Sequence, residues 1–163
     1  MKTIITKTNV YKFYELSEEA KDKAISELYD INTEYDWWES TYEDAATIGL
    51  KITSFELFRR DITGELIESG IKVANFIKEN HGESCGTYKA ASKFLQDVDN
   101  EMQTNCEPDA EIEEMESDFL KSLLKEYLVI LRKNYDYLTS EVAIIETIEA
   151  NDYTFTVNGK LFS

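Results

Sequence analysis

Apolar residues recur at helical spacing from Ile112 to Leu131, through Met115, Phe119, Leu123, Tyr127 and Ile130. Spacings of three and four place these side chains on one stripe of a helix roughly 20 residues long, and such a stripe has to be buried against other elements. A chain organised around a helix of this length is a packed domain rather than an extended tail. Its first two turns, however, are crowded with acids.

Between Lys93 and Lys121 the chain carries Asp97, Asp99, Glu101, Glu107, Asp109, Glu111, Glu113, Glu114, Glu116 and Asp118 and no base. A second run without a base lies between Lys23 and Lys51: Glu27, Asp30, Glu34, Asp36, Glu39, Glu43 and Asp44. Outside these runs acids and bases nearly balance, so the two runs hold almost all of the net charge of -16 over 163 residues. Mutual repulsion among so many carboxylates opposes compaction, and solubility alone does not call for such clustering. Direct binding to nucleic acid or to an anionic membrane is not expected, because phosphate contacts need clustered Lys and Arg. No apolar run is long enough for a membrane helix. The first residues lack the apolar stretch and cleavage site of a secretion signal. The two thiols, Cys85 and Cys106, are therefore expected to be reduced in a cytoplasm.

The remaining elements follow from caps, periodicity and turn residues. Residues 8–14 are β-branched and aromatic and predict a strand. Ser17 caps a helix carrying Ala20, Ala24 and Leu28, with Glu18 and Glu19 at the positive end of its dipole. After a break at Asn32-Thr33, the spacing of Tyr35, Trp38, Tyr42 and Ala45 predicts a second helix ending at Gly49. Residues 50–57 alternate in two phases, which predicts a strand with a bulge near Thr53-Ser54. A turn is expected at 61–64, with a return strand at 65–68. Ser69 caps a helix to Asn80 with Val73, Phe76 and Ile77 inward. Another starts at Thr87, with Tyr88, Ala91, Leu95, Val98 and Met102 on its apolar face. The segment 103–108, with the only proline, predicts a loop. Ser140 restarts a short helix with Val142, Ile145 and Ile148 inward, closed by Asn151. Asn158-Gly159 predicts a C-terminal hairpin over 153–162, both turn positions favouring positive φ. The expected architecture is one α+β domain over 1–163, with antiparallel hairpins packed on several helices, one of them long and amphipathic.

Motifs for chemistry are sparse. A single histidine, His81, excludes multi-histidine metal centres. Cys85 lies four residues on, which offers a thiol or metal site as one reading; a helix-end histidine and a structural cysteine are the simpler one. No phosphate-cradling glycine loop occurs. Asp97-x-Asp99-x-Glu101 has the opening spacing of a calcium loop but neither its glycine nor its closing glutamate. No catalytic residue, cofactor or metal is expected. Trp37 and Trp38 point about 100° apart on a helix, so they cannot share one core direction. Trp38 fits the apolar stripe, which leaves Trp37 at its margin among Glu34, Asp36 and Glu39. An aromatic ringed by acids suits recognition of a basic protein surface; the alternative, favoured by how buried tryptophan is on average, is that Trp37 packs under another element.

The segments Tyr11-Lys-Phe13-Tyr-Glu15-Leu16-Ser17-Glu-Glu-Ala20-Lys21-Asp-Lys23-Ala24, Asp36-Trp37-Trp38-Glu39, Tyr42-Glu43-Asp44-Ala45 and His81-Gly82-Glu83-Ser84-Cys85-Gly86-Thr87-Tyr88-Lys89 carry a resemblance. Together with the 153–159 hairpin, they resemble a family of small acidic phage- and prophage-encoded proteins. The resemblance implies a mobile-element protein working in the cytoplasm of a bacterial host, and it brings no catalytic residues with it. Some members are labelled antitoxin-like. The function expected is that of an acidic protein blocking a basic host protein, such as a defence nuclease or nucleic-acid-binding complex, by charge complementarity or nucleic-acid mimicry. An antitoxin or regulator of a cognate toxin, and a metal- or thiol-dependent enzyme, are the alternatives. The residues expected to meet the partner are Glu27, Asp30, Glu34, Asp36, Trp37, Glu39, Glu43 and Asp44, with Asp97, Asp99, Glu101, Glu111, Glu113, Glu114 and Asp118.

Overall fold

The computed structural model describes residues 1–163. Ten elements follow along the chain: β1 (Tyr11–Lys12), α1 (Glu18–Glu27), α2 (Glu39–Thr47), β2 (Leu50–Glu56), β3 (Asp61–Leu66), α3 (Gly70–Asn80), α4 (Gly86–Thr104), α5 (Asp109–Leu138), α6 (Glu141–Ala150) and β4 (Thr154–Phe155). The class is α+β, with two small antiparallel pairings, β1 with β4 and β2 with β3. The chain gathers into two compact units, one formed by Met1–Trp37 and Asn134–Ser163, the other by Trp38–Lys133.

In the first unit, Phe13, Leu16, Ala20, Ala24, Ile144, Ile148 and Phe155 form the core. Ser17 accepts a hydrogen bond from the Ala20 N–H at 3.3 Å, and Ser140 does the same for Ala143, so both helix starts use their serine as read from the sequence. The strand expected over 8–14 is shorter. Only Tyr11 and Lys12 pair, with Phe155 and Thr154, before a 3-10 turn at Phe13–Glu15 rolls Phe13 edge-on to Phe155. Burying Phe13 outweighs the strand propensity of its neighbours. The C-terminal segment doubles back, with Thr156 N–H donating to Lys160 and Phe162 N–H to Thr154. Of its two turn residues only Gly159 has positive φ, +78°, and a Cβ there would overlap the Ala20 carbonyl. The Asn-Gly pair is therefore not the two-residue turn expected, because close packing on α1 rather than turn type fixes Gly159. In α6 it is Ala143, Ile144 and Ile148 that are buried, while Val142 is 61% exposed. The buried Asn32 accepts from the Thr147 hydroxyl at 2.6 Å and donates to the Leu138 carbonyl at 3.0 Å, which fixes the break after α1.

The second unit is built round the β2–β3 hairpin and α2 to α5. Its core includes Leu50, Ile52, Val73, Ile77, Phe94, Val98, Phe119, Leu123 and Tyr127. β2 carries the expected bulge, between Ile52 and Ser54. The hairpin turn lies at 57–60, not 61–64, and Asp61 already pairs with Glu56. Gly64, read as a turn glycine, is a strand residue opposite Ile52. A Cβ there would stand 2.6 Å from the Lys51 carbonyl and 2.9 Å from Leu124, so its role is to let α5 approach the hairpin. Helix α2 begins at Glu39 rather than at Tyr35, which is 59% exposed; Trp38, Tyr42 and Ala45 of that stripe do turn to the hairpin and core. Gly49 ends α2 with φ +88°. Ser69 caps α3. In α3, Ala74 takes the inward place expected for Phe76. In α4 Phe94 is buried more fully than Leu95, and Met102 is 60% exposed beyond the end of the core.

Candidate functional site

Helices α4 and α5, joined by 105–108, form a helical hairpin. Phe94 and Phe119 stack at 4.5 Å with their rings 4° from parallel, each ten residues from the connection. Val98, Ile112 and Met115 extend that inner side towards the connection and Glu116 reaches Gly70 of α3, so the free end of the hairpin is the outward face of residues 97–118 with the 105–108 connection. Ion pairs occur only at the ends of the run: Lys93 with Asp97 at 2.6 Å, and Lys121 with Asp118 at 3.2 Å. Lys93 is held above the usual lysine range by its hydrogen bond to Asp97 and by the charges of Asp97 and Asp118, which places acids of both helices round one ammonium. Inside the run, Asp99 accepts from Gln103 and Glu101 from Asn105, both at helical spacing. Glu111, Glu113 and Glu114 are exposed and make no ion pair within the chain.

The other acidic run is divided between the units. Glu27, Asp30, Glu34, Asp36 and Trp37 belong to the first. Glu27 is paired with Lys23 at 3.9 Å. Trp37 is half-buried, its ring 5.8 Å from that of Tyr135, so it packs on a neighbouring aromatic instead of standing free among the acids. The Tyr135 hydroxyl is pushed up from its ordinary pKa by burial and by Tyr29. Glu39, Glu43, Asp44 and Trp38 lie in the second unit, where Trp38 meets Phe55 edge-on at 5.8 Å. The two tryptophans thus turn to different aromatic partners, as their adjacency requires.

Asp44 has an internal role. Its carboxylate accepts a hydrogen bond of 2.8 Å from the hydroxyl of Tyr127, whose ring is fully buried. Burial first, and then the Asp44 carboxylate, push the Tyr127 pKa far above that of a free tyrosine. The pair borders an open groove of about 550 Å³ that also includes His81, Cys85, Thr87, Glu126 and Lys133. The two residues singled out for possible chemistry, His81 and Cys85, therefore do share a surface. His81 Nδ1 is 2.7 Å from the Thr87 hydroxyl, and Cys85 is the exposed residue that precedes α4. Nowhere do three or more His, Cys, Asp or Glu side chains converge at metal-binding distance.

Two further carboxylates, Glu116 and Glu126, point inward from α5 to the starts of the neighbouring helices. Glu116 accepts from the N–H of Gly70, the first residue of α3. The Glu126 carboxylate lies against Gly86, the first residue of α4, where the preceding Cys85 supplies no side-chain cap. A Cβ on either glycine would collide with its carboxylate. Both negative groups thus sit at positive helix ends. The signal in the sequence was a glycine at the first helical position, where proline or an acid is usual and only a close approach favours glycine.

Comparison of the chain with family models, with curated proteins and with solved structures finds no match. No helix is long and apolar enough to cross a membrane.

Proposed function

We propose that this protein is a non-enzymatic, phage-derived binding protein that occupies a basic surface on a host protein in the bacterial cytoplasm, with the free end of the α4–α5 hairpin as its engaging element. One observation carries the reading. Residues 97–118 form a continuous run without a base on a single helical hairpin, and intramolecular ion pairs neutralise only its two ends. A helical scaffold holding uncompensated carboxylates offers a basic partner negative charge, as the phosphates of nucleic acid do. Such a surface speeds encounter and loses affinity as salt rises. Glu39 and Glu43 of α2 and the acids near Trp37 add to the negative field that steers a basic target.

The test is capture from host lysate at low and high salt, with the eluted proteins identified. In a variant carrying Asp99→Lys, Asp109→Lys and Glu113→Lys, a basic partner captured by the wild type is lost, while stability falls by no more than about 1 kcal/mol, most of it from Asp109 at the first turn of α5. Retention of the same partner with the same salt dependence by the triple variant would falsify the proposal.

A further inference from the structure

Helix α5 has an outward stripe with an order of its own. At alternating spacings of four and three, Glu107, Glu111, Glu114 and Asp118 are followed by Lys121, Lys125, Leu128 and Arg132. This spacing keeps residues on one side of a helix. The side is opposite to that of Phe119, Leu123, Tyr127 and Leu131, all of them buried. Glu107 stands just ahead of the first turn, and the other seven lie within the helix. The stripe changes sign once, between Asp118 and Lys121.

Turned end for end about that point, it matches itself. Asp118 then faces Lys121, Glu114 faces Lys125 and Glu111 faces Leu128, while Glu107, just outside the helix, lies towards the end that Arg132 occupies. The basic half is also grooved. Hollows of about 460 and 400 Å³ border it, and Arg60 and Leu128 line both. The β2–β3 turn forms one wall and is tied down by Arg132, which donates to the Leu57 carbonyl. All three arginines of the chain, Arg59, Arg60 and Arg132, are gathered here. Among these cations and Lys125 and Lys133, none is in an ion pair; Lys121 alone has one, with Asp118. Arg60 holds φ +55°, a conformation uncommon for a residue with a side chain.

We propose that α5 pairs antiparallel with α5 of a second copy of this chain, the acidic half of each lying in the basic groove of the other about a two-fold axis. A two-fold contact uses the same surface twice, so a stripe that is its own charge complement on reversal suits it. Arginine is the cation best shaped for carboxylates, and in this arrangement Arg60, beside Leu128, meets the incoming Glu111. A strand of nucleic acid could also offer negative charge to the groove. It would leave the chain's own acidic half uncompensated and would face the repulsion of a net charge of -16. A second copy carries that same net charge, and it is favoured because each acidic half then receives cations in return, which a nucleic acid cannot supply. Exposed ion pairs are individually weak and screened by salt, so the dimer forms with rising concentration and dissociates at high salt. Its test is separate from that of the function proposed above, whose variants lie off this stripe; in the dimer Glu111, Glu114 and Asp118 face the second copy, and a host partner meets the remaining acids of 97–118.

Sedimentation equilibrium across a concentration series, at low and near-molar salt, provides the test. The wild type dimerises at low salt and is monomeric at high salt. Glu114→Lys and Lys125→Glu, each placing like charges together twice, weaken the dimer on the order of tenfold. The double variant recovers it. So does an equimolar mixture of the two single variants, because each then supplies the charge that the other lacks, and circular dichroism of each confirms the fold. A wild type monomeric throughout, or single variants that dimerise like it, would overturn the proposal. So would a single-stranded oligonucleotide that binds the wild type but not Lys125→Glu while no dimer forms, which would assign the groove to nucleic acid.

Discussion

The inward and outward sides of α5 use the same side chain in opposite ways. Glu116 and Glu126 sit against the first residues of α3 and α4, where they meet backbone at positive helix ends. Glu111 and Glu114 stand in water without a counterion. An inward carboxylate fixes where another helix begins and is part of the fold's stability. An outward one contributes little to stability and much to the field. Acidic composition alone therefore misjudges this protein, since part of its negative charge is structural and only the remainder is available to a partner.

The contrast can be tested most severely at the core beneath both sides. Phe119→Ala removes the ring stacked on Phe94 and should cost about 3–5 kcal/mol, read as a lower denaturation midpoint. Should the loss stay below about 1 kcal/mol, the hairpin is not held by that contact. A smaller effect is expected at the inward carboxylate. Glu116→Ala leaves the Gly70 N–H without its charged acceptor and should destabilise by about 1.5–3 kcal/mol. A charge reversal at outward Glu113 should leave the midpoint nearly unmoved, and equal losses at the two positions would erase the distinction.

Among the buried contacts the smallest effect is at Tyr127, where Phe keeps the packing and removes only the bond to Asp44, for a loss of about 0.5–1.5 kcal/mol. This position also has a pH signature. The folded-state pKa is raised above the unfolded value near 10, so the unfolded chain releases its proton first as pH rises. The contribution of Tyr127 is fully present below about pH 10 and declines above it. Tyr127→Phe should therefore flatten part of the alkaline fall in stability. An unchanged alkaline slope would mean that Tyr127 titrates alike in both states.

Much of the local structure could be read directly. Ser17, Ser69 and Ser140 cap the helices assigned to them, Gly49 ends α2, and the phase change in β2 is the bulge. Each is a short-range matter, settled by one side chain and the backbone within four residues of it. The misplacements have a common cause. Gly64 and Asp61 carry turn chemistry but lie in β3, because α5 needs the space that Gly64 leaves. Tyr35 continues a helical period but lies outside α2, and Trp37 packs on Tyr135 from the far end of the chain. Periodicity reports which residues could share a face; it is silent on which distant element covers that face.

The candidate site divides along the same line. The two acidic runs, and even the reversible order of charge along α5, stand in the sequence, because they depend only on residue order and helical spacing. Which carboxylates turn inward, which aromatic shelters Trp37, and the meeting of Asp44 with Tyr127 were decided by tertiary structure alone. Those outcomes depend on groups 83 positions apart in the case of Asp44 and Tyr127, and 46 in the case of Gly70 and Glu116. Local propensity carries no information across such separations. There, fit, burial and the requirement that every buried polar group find a partner determine the result.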